Sequence, residues 1–172
     1  MDKIALEIEN IATEFNELLI TDQKTILSML YKALADEWLA YYQYWSSYHS
    51  TRGKGKVDVD PEFEAHSKDE LEHAEKIVMR IKELGGRPFP RIQDLDTFCS
   101  QKSVGAPVQN PCDLILITIE AEKHAISFYK ELESLTRSVD PTTNKMIKEI
   151  LSEEEEHLYD LNMLLEDTCA AE

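Results

Sequence analysis

Lys68-Asp69-Glu70-Leu71-Glu72-His73 and Glu153-Glu154-Glu155-Glu156-His157 each hold Glu-x-x-His inside strongly helical sequence, at Glu70/His73 and at Glu154/His157. Residues three apart on an α-helix lie about 60° apart around the axis and ~4.5 Å along it. A carboxylate and an imidazole so placed can close on one metal ion from the same face. One such pair says little in a chain rich in glutamate, where a solvated face is the commoner explanation. Two pairs say more, because a lone inward-facing acid precedes each at a matching distance, Glu37 and Glu122.

The chain around these stretches reads as four long helices. The first is expected from about Thr21 to about His49, with an inner stripe of Leu27, Leu30, Leu34, Glu37, Tyr41, Tyr44 and Tyr48 at three- or four-residue steps. The next three each start with a capping residue and proline: Asp60-Pro61, Asn110-Pro111 and Asp140-Pro141. They are expected over about Pro61–Leu84, Pro111–Thr136 and Pro141–Asp167, the first of them stopping at Gly85-Gly86. Residues 1–20 form an N-terminal extension with some helical periodicity, 21–168 the bundle, and 169–172 a short tail.

Short links between helices one and two, and between three and four, predict two antiparallel hairpins. The long stretch Gly85 to Asn110, with a possible short helix over 92–98, then crosses the length of the bundle, ~35–40 Å. The halves also repeat. Glu37 is followed at +7, +33 and +36 by Tyr44, Glu70 and His73; Glu122 is followed at +7, +32 and +35 by Tyr129, Glu154 and His157. That spacing predicts two similar hairpins facing each other across a site on a pseudo-two-fold axis. On the third helix Glu120 competes with Glu122, but Ile115, Ile119, Glu122, Ile126 and Tyr129 make the apolar face, so Glu122 is the inward acid.

Four carboxylates buried together repel and are costly to desolvate. Two divalent cations would cancel them, with His73 and His157 as neutral nitrogen ligands. This donor set suits iron and manganese, and zinc can compete. The metal and catalytic candidates are therefore Glu37, Glu70, His73, Glu122, Glu154 and His157. Tyr44 and Tyr129 read as packing aromatics with a redox alternative, and His66 as an ordinary buried histidine or an accessory ligand. Glu72, Glu153, Glu155 and Glu156 read as mostly a solvated or cavity-lining face.

Composition narrows the function classes. The 172 residues suit one domain, and 42% apolar residues are ample for a core. With 18 Lys+Arg against 34 Asp+Glu, the net charge of −16 argues against a nucleic-acid partner. Met1 to Glu7 lacks the basic start of a signal peptide, and the longest aliphatic run, Leu114 to Ile117, is too short for a bilayer. A cytoplasmic location without a membrane partner is expected. Cys99, Cys112 and Cys169 are odd in number and irregularly spaced, which indicates neither a disulfide framework nor a zinc knuckle.

Glu37-Trp38-Leu39-Ala40-Tyr41-Tyr42-Gln43-Tyr44, with the two Glu-x-x-His stretches, resembles the ferritin-like di-iron proteins over about residues 22–167. Within them it looks most like the bacterioferritin-type and Dps-like (thioferritin) mini-ferritins. The resemblance implies an all-α, ferritin-like four-helix bundle with one long crossover. It implies a dodecameric cage that oxidises Fe²⁺ with H₂O₂ or O₂ and stores the ferric product, with two irons per subunit. Glu37 and Glu122 would be terminal ligands, Glu70 and Glu154 bridging ligands, and His73 and His157 one nitrogen for each iron.

Three departures from the family refine this. Leu71 stands where bacterioferritins place the haem-ligating Met, so no haem is expected. Cys99 matches the first cysteine of the Dps-like disulfide, but His124 stands at the second, so a thiol is expected at Cys99. Too few residues follow the fourth helix for a fifth, which favours the twelve-subunit cage. Two rivals stay open: a rubrerythrin-like peroxidase or manganese catalase without stored mineral, and a metal-free helical interaction protein. Ala125, where rubrerythrins carry a second Glu, counts against the former.

Overall fold

Uninterrupted helix-forming sequence between Lys3 and Ser50 gives one long helix, α1 (Lys3–Ser50), in the computed structural model of the chain. It is followed by α2 (Lys56–Glu83), a short α3 (Gln93–Phe98), α4 (Pro111–Thr136) and α5 (Pro141–Cys169). The structure describes residues 3–88, 93–100 and 109–169, and the side chains of 3–21, 94 and 96 lie outside that description. No strand occurs, and no helix follows α5, among the described residues.

α1 pairs with α2 and α4 with α5, as two antiparallel hairpins; α1 then meets α4 and α2 meets α5, while α3 on the crossover lies against α1. The described residues thus form the four-helix bundle of two hairpins that the sequence predicts. Two of the expected caps are present. Asn110 Oδ1 accepts from Cys112 N at 2.9 Å, and Asp140 Oδ1 accepts from Thr143 N at 3.0 Å. α2 ends where expected: Gly85, at φ +83°, lets Gly86 N reach Ile81 O at 2.8 Å and close the last turn.

Three expectations need correction. α1 begins near Lys3 and not at Thr21, since neither Gly nor Pro interrupts the sequence before Gly53. α2 begins at Lys56, so Asp60-Pro61 is no cap; Pro61 lies within the helix. Gly55, at φ +91°, starts the helix a turn early by accepting from Asp58 N and Val59 N, each at 3.1 Å. Asp60 pairs with Lys56 instead, and Val59 is fully buried. Finally, Cys112 and Cys169 form a disulfide, Cα–Cα 5.8 Å. Their separation of 57 residues looks arbitrary along the sequence, but an antiparallel hairpin brings the start of α4 to the end of α5.

The core is in two parts. Leu30, Leu34, Ile77, Ile81, Leu132, Ile147 and Ile150 fill one end of the bundle. Val59, Phe63, Leu114, Ile115, Ile119 and Leu161 fill the other. Each buried aliphatic side chain is worth about 1.5–3 kcal/mol. Along every long helix the residues between these clusters are polar: Glu37 on α1, Glu70 and His73 on α2, Glu122 on α4, Glu154 and His157 on α5. All six are at most 4% exposed.

Candidate metal centre

A buried layer of four acids and two imidazoles requires the helices to be aligned at this level, and the repeat in the sequence does this. Glu37 and Glu122 project from the hairpins' first helices, and the two Glu-x-x-His turns from their second. Glu122 is 3% exposed, whereas Glu120 is on the surface and pairs with Lys123 at 2.7 Å.

The six groups divide into two overlapping sets. His73 Nδ1 lies 3.1 Å from Glu70 Oε2, 3.1 Å from Glu154 Oε1 and 3.4 Å from Glu37 Oε2. His157 Nδ1 lies 3.4 Å from Glu70 Oε1, 3.8 Å from Glu154 Oε2 and 3.9 Å from Glu122 Oε1. Glu70 and Glu154 thus offer one oxygen to each set, while Glu37 and Glu122 each serve only one. Within each set, one ligand atom per residue lies within 4.8 Å of the others, so each could hold a metal ion.

The outer ring nitrogens are backed by acids from the opposite hairpin. His73 Nε2 is 2.6 Å from Glu153 Oε2, which also accepts from Lys76 Nζ at 2.8 Å. His157 Nε2 is 3.5 Å from Asp69 Oδ2. An acid on Nε2 holds the proton there and leaves the Nδ1 lone pair facing the carboxylates, the arrangement a metal-ligating imidazole needs. The sequence places Glu153 on a solvated or cavity-lining face, which agrees with its position in the α2/α5 depression, but assigns it no contact with His73. The signal was available: Asp69 and Glu153 each immediately precede the shared glutamate of their hairpin.

The tyrosines cross over as well. Tyr44 O–H donates to Glu122 Oε1, and Tyr129 O–H donates to Glu37 Oε1. Glu122 and Glu37 are therefore each oriented by the tyrosine of the other half, more than a packing role. His66, 3% exposed, stacks on His157 with ring centroids 4.1 Å apart, and burial beside His157 lowers it to about 3.

Without a cation the layer is electrostatically frustrated. Burial and the charges of Glu154 and Glu70 push Glu122 well above the usual carboxylate range. Burial alone would lower His157, but hydrogen bonding to Glu70 and its charge outweigh this and raise it to about 9. His73 is likewise lowered by burial and raised further by Glu154, Glu37 and Glu70. Burial and Glu122 raise Tyr44; burial and Glu37 raise Tyr129. Even so, the contacts are long or poorly aligned: Glu37 Oε2, Glu70 Oε1, Glu154 Oε1 and His157 Nδ1 are buried with no partner in good hydrogen-bonding geometry. Such orphaned atoms, converging from α1, α2 and α5, suit a divalent cation.

Cys99 is not disulfide-bonded, as expected, and its Sγ lies 3.6 Å from Ala35 O. His124 contacts Ser100, its Nε2 2.8 Å from Ser100 Oγ.

Residues 27–170 match the ferritin-like domain. The chain belongs to the ferritin-like family. This ferritin-like chain is 31% identical over 137 residues to the DNA protection during starvation protein of Pyrococcus furiosus, covering 79% of the chain and 74% of that protein. It is 29% identical over 133 residues to a bacterioferritin of Desulfovibrio desulfuricans, covering 77% and 70%. A dodecameric thioferritin from Bacteroides fragilis, a bacterioferritin-related protein, superposes with a TM-score of 0.83 at 35% identity, over 90% of this chain and 94% of that one.

Proposed function

We propose that this ferritin-like protein is a ferroxidase and iron-storage mini-ferritin that binds two Fe²⁺ per chain at Glu37, Glu70, His73, Glu122, Glu154 and His157. The observation that carries it is the division of Glu70 and Glu154 between the two histidines, one oxygen to each side. Two adjacent ions can deliver two electrons to one oxidant molecule. With H₂O₂, each Fe²⁺ gives up one electron, the O–O bond breaks, two protons are taken up and two waters form. The chain's own part is to hold the ions, keep the remaining ring proton of each histidine on Nε2 through Glu153 and Asp69 once an ion has displaced the one on Nδ1, and orient the terminal acids through Tyr44 and Tyr129. Manganese or zinc would compete for the same donors.

The assembly we propose is a homo-oligomeric cage of twelve chains, in line with the Bacteroides relative. Exposed Trp38, Tyr42, Trp45 and Met79 on the α1/α2 side suit a subunit interface. Leu71 lines the groove there beside Trp38, Val78 and Met79 and offers no haem ligand. The net charge of −16 favours Fe²⁺ and disfavours DNA. No helix is long and apolar enough to cross a membrane among the described residues, and we place the protein in the cytoplasm. In that reducing setting, the Cys112–Cys169 bond would form only under oxidative conditions.

The test is aerobic and peroxide-driven Fe²⁺ oxidation by purified protein, with metal analysis and light scattering. Two metals per chain, rapid oxidation and a particle of twelve subunits are expected. The double variant Glu70→Ala, Glu154→Ala should stay helical and oxidise Fe²⁺ no faster than buffer; wild-type kinetics in it would refute the assignment.

A further inference from the structure

The metal layer is reached from two sides of different chemistry. Between α2 and α5 lies an open depression lined by Asp69, Glu72, Glu153, Glu156 and Asp160, a surface that favours cations. Between α1 and α4 lies a narrow cavity of about 20 Å³, room for one water-sized molecule. It extends to Glu37, Glu70, Glu122 and Glu154, and its walls otherwise include Ala33, Ala40, Ala121, Ala125 and Phe128. Four alanines leave the space open where larger side chains would fill it.

Asp36 and His124 also line this cavity, and Ser100 of the crossover is fastened to both. Ser100 N donates to Asp36 Oδ1 at 2.8 Å, and Ser100 Oγ donates to Asp36 Oδ2 at 2.5 Å. With its proton so committed, Ser100 Oγ accepts from His124 Nε2 at 2.8 Å. The crossover is thereby strapped over the line between α1 and α4. An ion would have to shed its water to pass such a small, largely apolar space, whereas a small neutral molecule would not.

We infer that the α1/α4 cavity is the port by which a small uncharged oxidant, H₂O₂ or O₂, reaches the metal centre, with the Ser100–Asp36–His124 contact as its cap. Metal ions do not use this route. The inference rests on the ferroxidase reading, and the experiment separates the two.

Ala121→Val, Ala125→Val and Ala40→Val each narrow the cavity, and Ser100→Ala loosens the cap. Co²⁺ absorption titration gives metal stoichiometry and affinity independently of turnover, and stopped-flow Fe²⁺ oxidation gives the H₂O₂ dependence. In the valine variants Co²⁺ binding should be unchanged, and the H₂O₂ concentration for half-maximal rate should rise about tenfold. Ser100→Ala should lower that concentration with the same Co²⁺ stoichiometry. Valine variants that fold, judged by wild-type melting and Co²⁺ uptake, yet keep the wild-type peroxide dependence would overturn the port and leave the metal centre intact. Wild-type protein that takes up no Co²⁺ would overturn both.

Discussion

Glu153 Oε2 sits 2.6 Å from His73 Nε2, so a histidine of one hairpin is held by an acid of the other. The contact orients the ring and, once a metal displaces the Nδ1 proton, keeps the remaining proton on Nε2. Glu153→Ala should therefore weaken metal binding about 10–100-fold on the His73 side alone. Isothermal titration with Co²⁺ should resolve one weakened and one unchanged site. Equal weakening of both sites would mean that Glu153 acts only through the general field.

The face of α4 gives a second contrast. Glu122→Ala should remove one metal per chain and most ferroxidase activity, because Glu122 serves only the His157 set. Glu120→Ala, which loses a solvent-exposed contact to Lys123, should be nearly silent in activity and cost less than about 1 kcal/mol of stability. The reverse ranking in metal analysis would show that α4 is rotated.

Metal uptake should release protons, because the carboxylates around His157 keep it protonated in the metal-free layer and a cation at Nδ1 displaces that proton. His157 is raised from 6.5 to about 9. In the metal-free protein its charge therefore contributes stability fully below its ordinary value, and this is lost as pH rises through about 9. Metal competes with the same proton, so affinity should increase with pH over that window. Titrations in buffers of different ionisation enthalpy would count the protons; a buffer-independent heat would contradict the model of a protonated empty layer.

The Cys112–Cys169 bond closes a loop of 57 residues and should stabilise the fold by about 2–4 kcal/mol. Dithiothreitol should lower the melting temperature while leaving Co²⁺ stoichiometry at two, because the bond lies at one end of the α4/α5 hairpin and the metal layer at its middle. No shift on reduction would show that the two ends of α4 and α5 are already held by packing alone.

Much of this was legible in the sequence for one reason: a ligand on an apolar stripe breaks a period that the eye or a count can follow. Glu37 and Glu122 stand out because Leu34, Ile119 and Ile126 surround them. Asn110 and Asp140 were legible because capping depends on a residue and its next three neighbours. The α2 start was not, because Gly55 in the left-handed region outweighs the Asp60-Pro61 signal and a helix can absorb one missing N–H near its first turns. Cys112 and Cys169 were opaque because their partnership depends on two helices being equally long. The contact of Glu153 with His73 was not legible, because a half-exposed acid among four glutamates shows that role only through the histidine it meets.

Neither hairpin owns a complete set of ligands. The His73 set borrows Glu154 from α5, and the His157 set borrows Glu70 from α2. A slip of one hairpin against the other by a single helical turn, ~5.4 Å, would dismantle both at once. On the proposed assignment, metal occupancy would be a proofreading signal for the fold: only a chain whose two halves have docked in the correct register could load its ions, and loading would then lock that register in place.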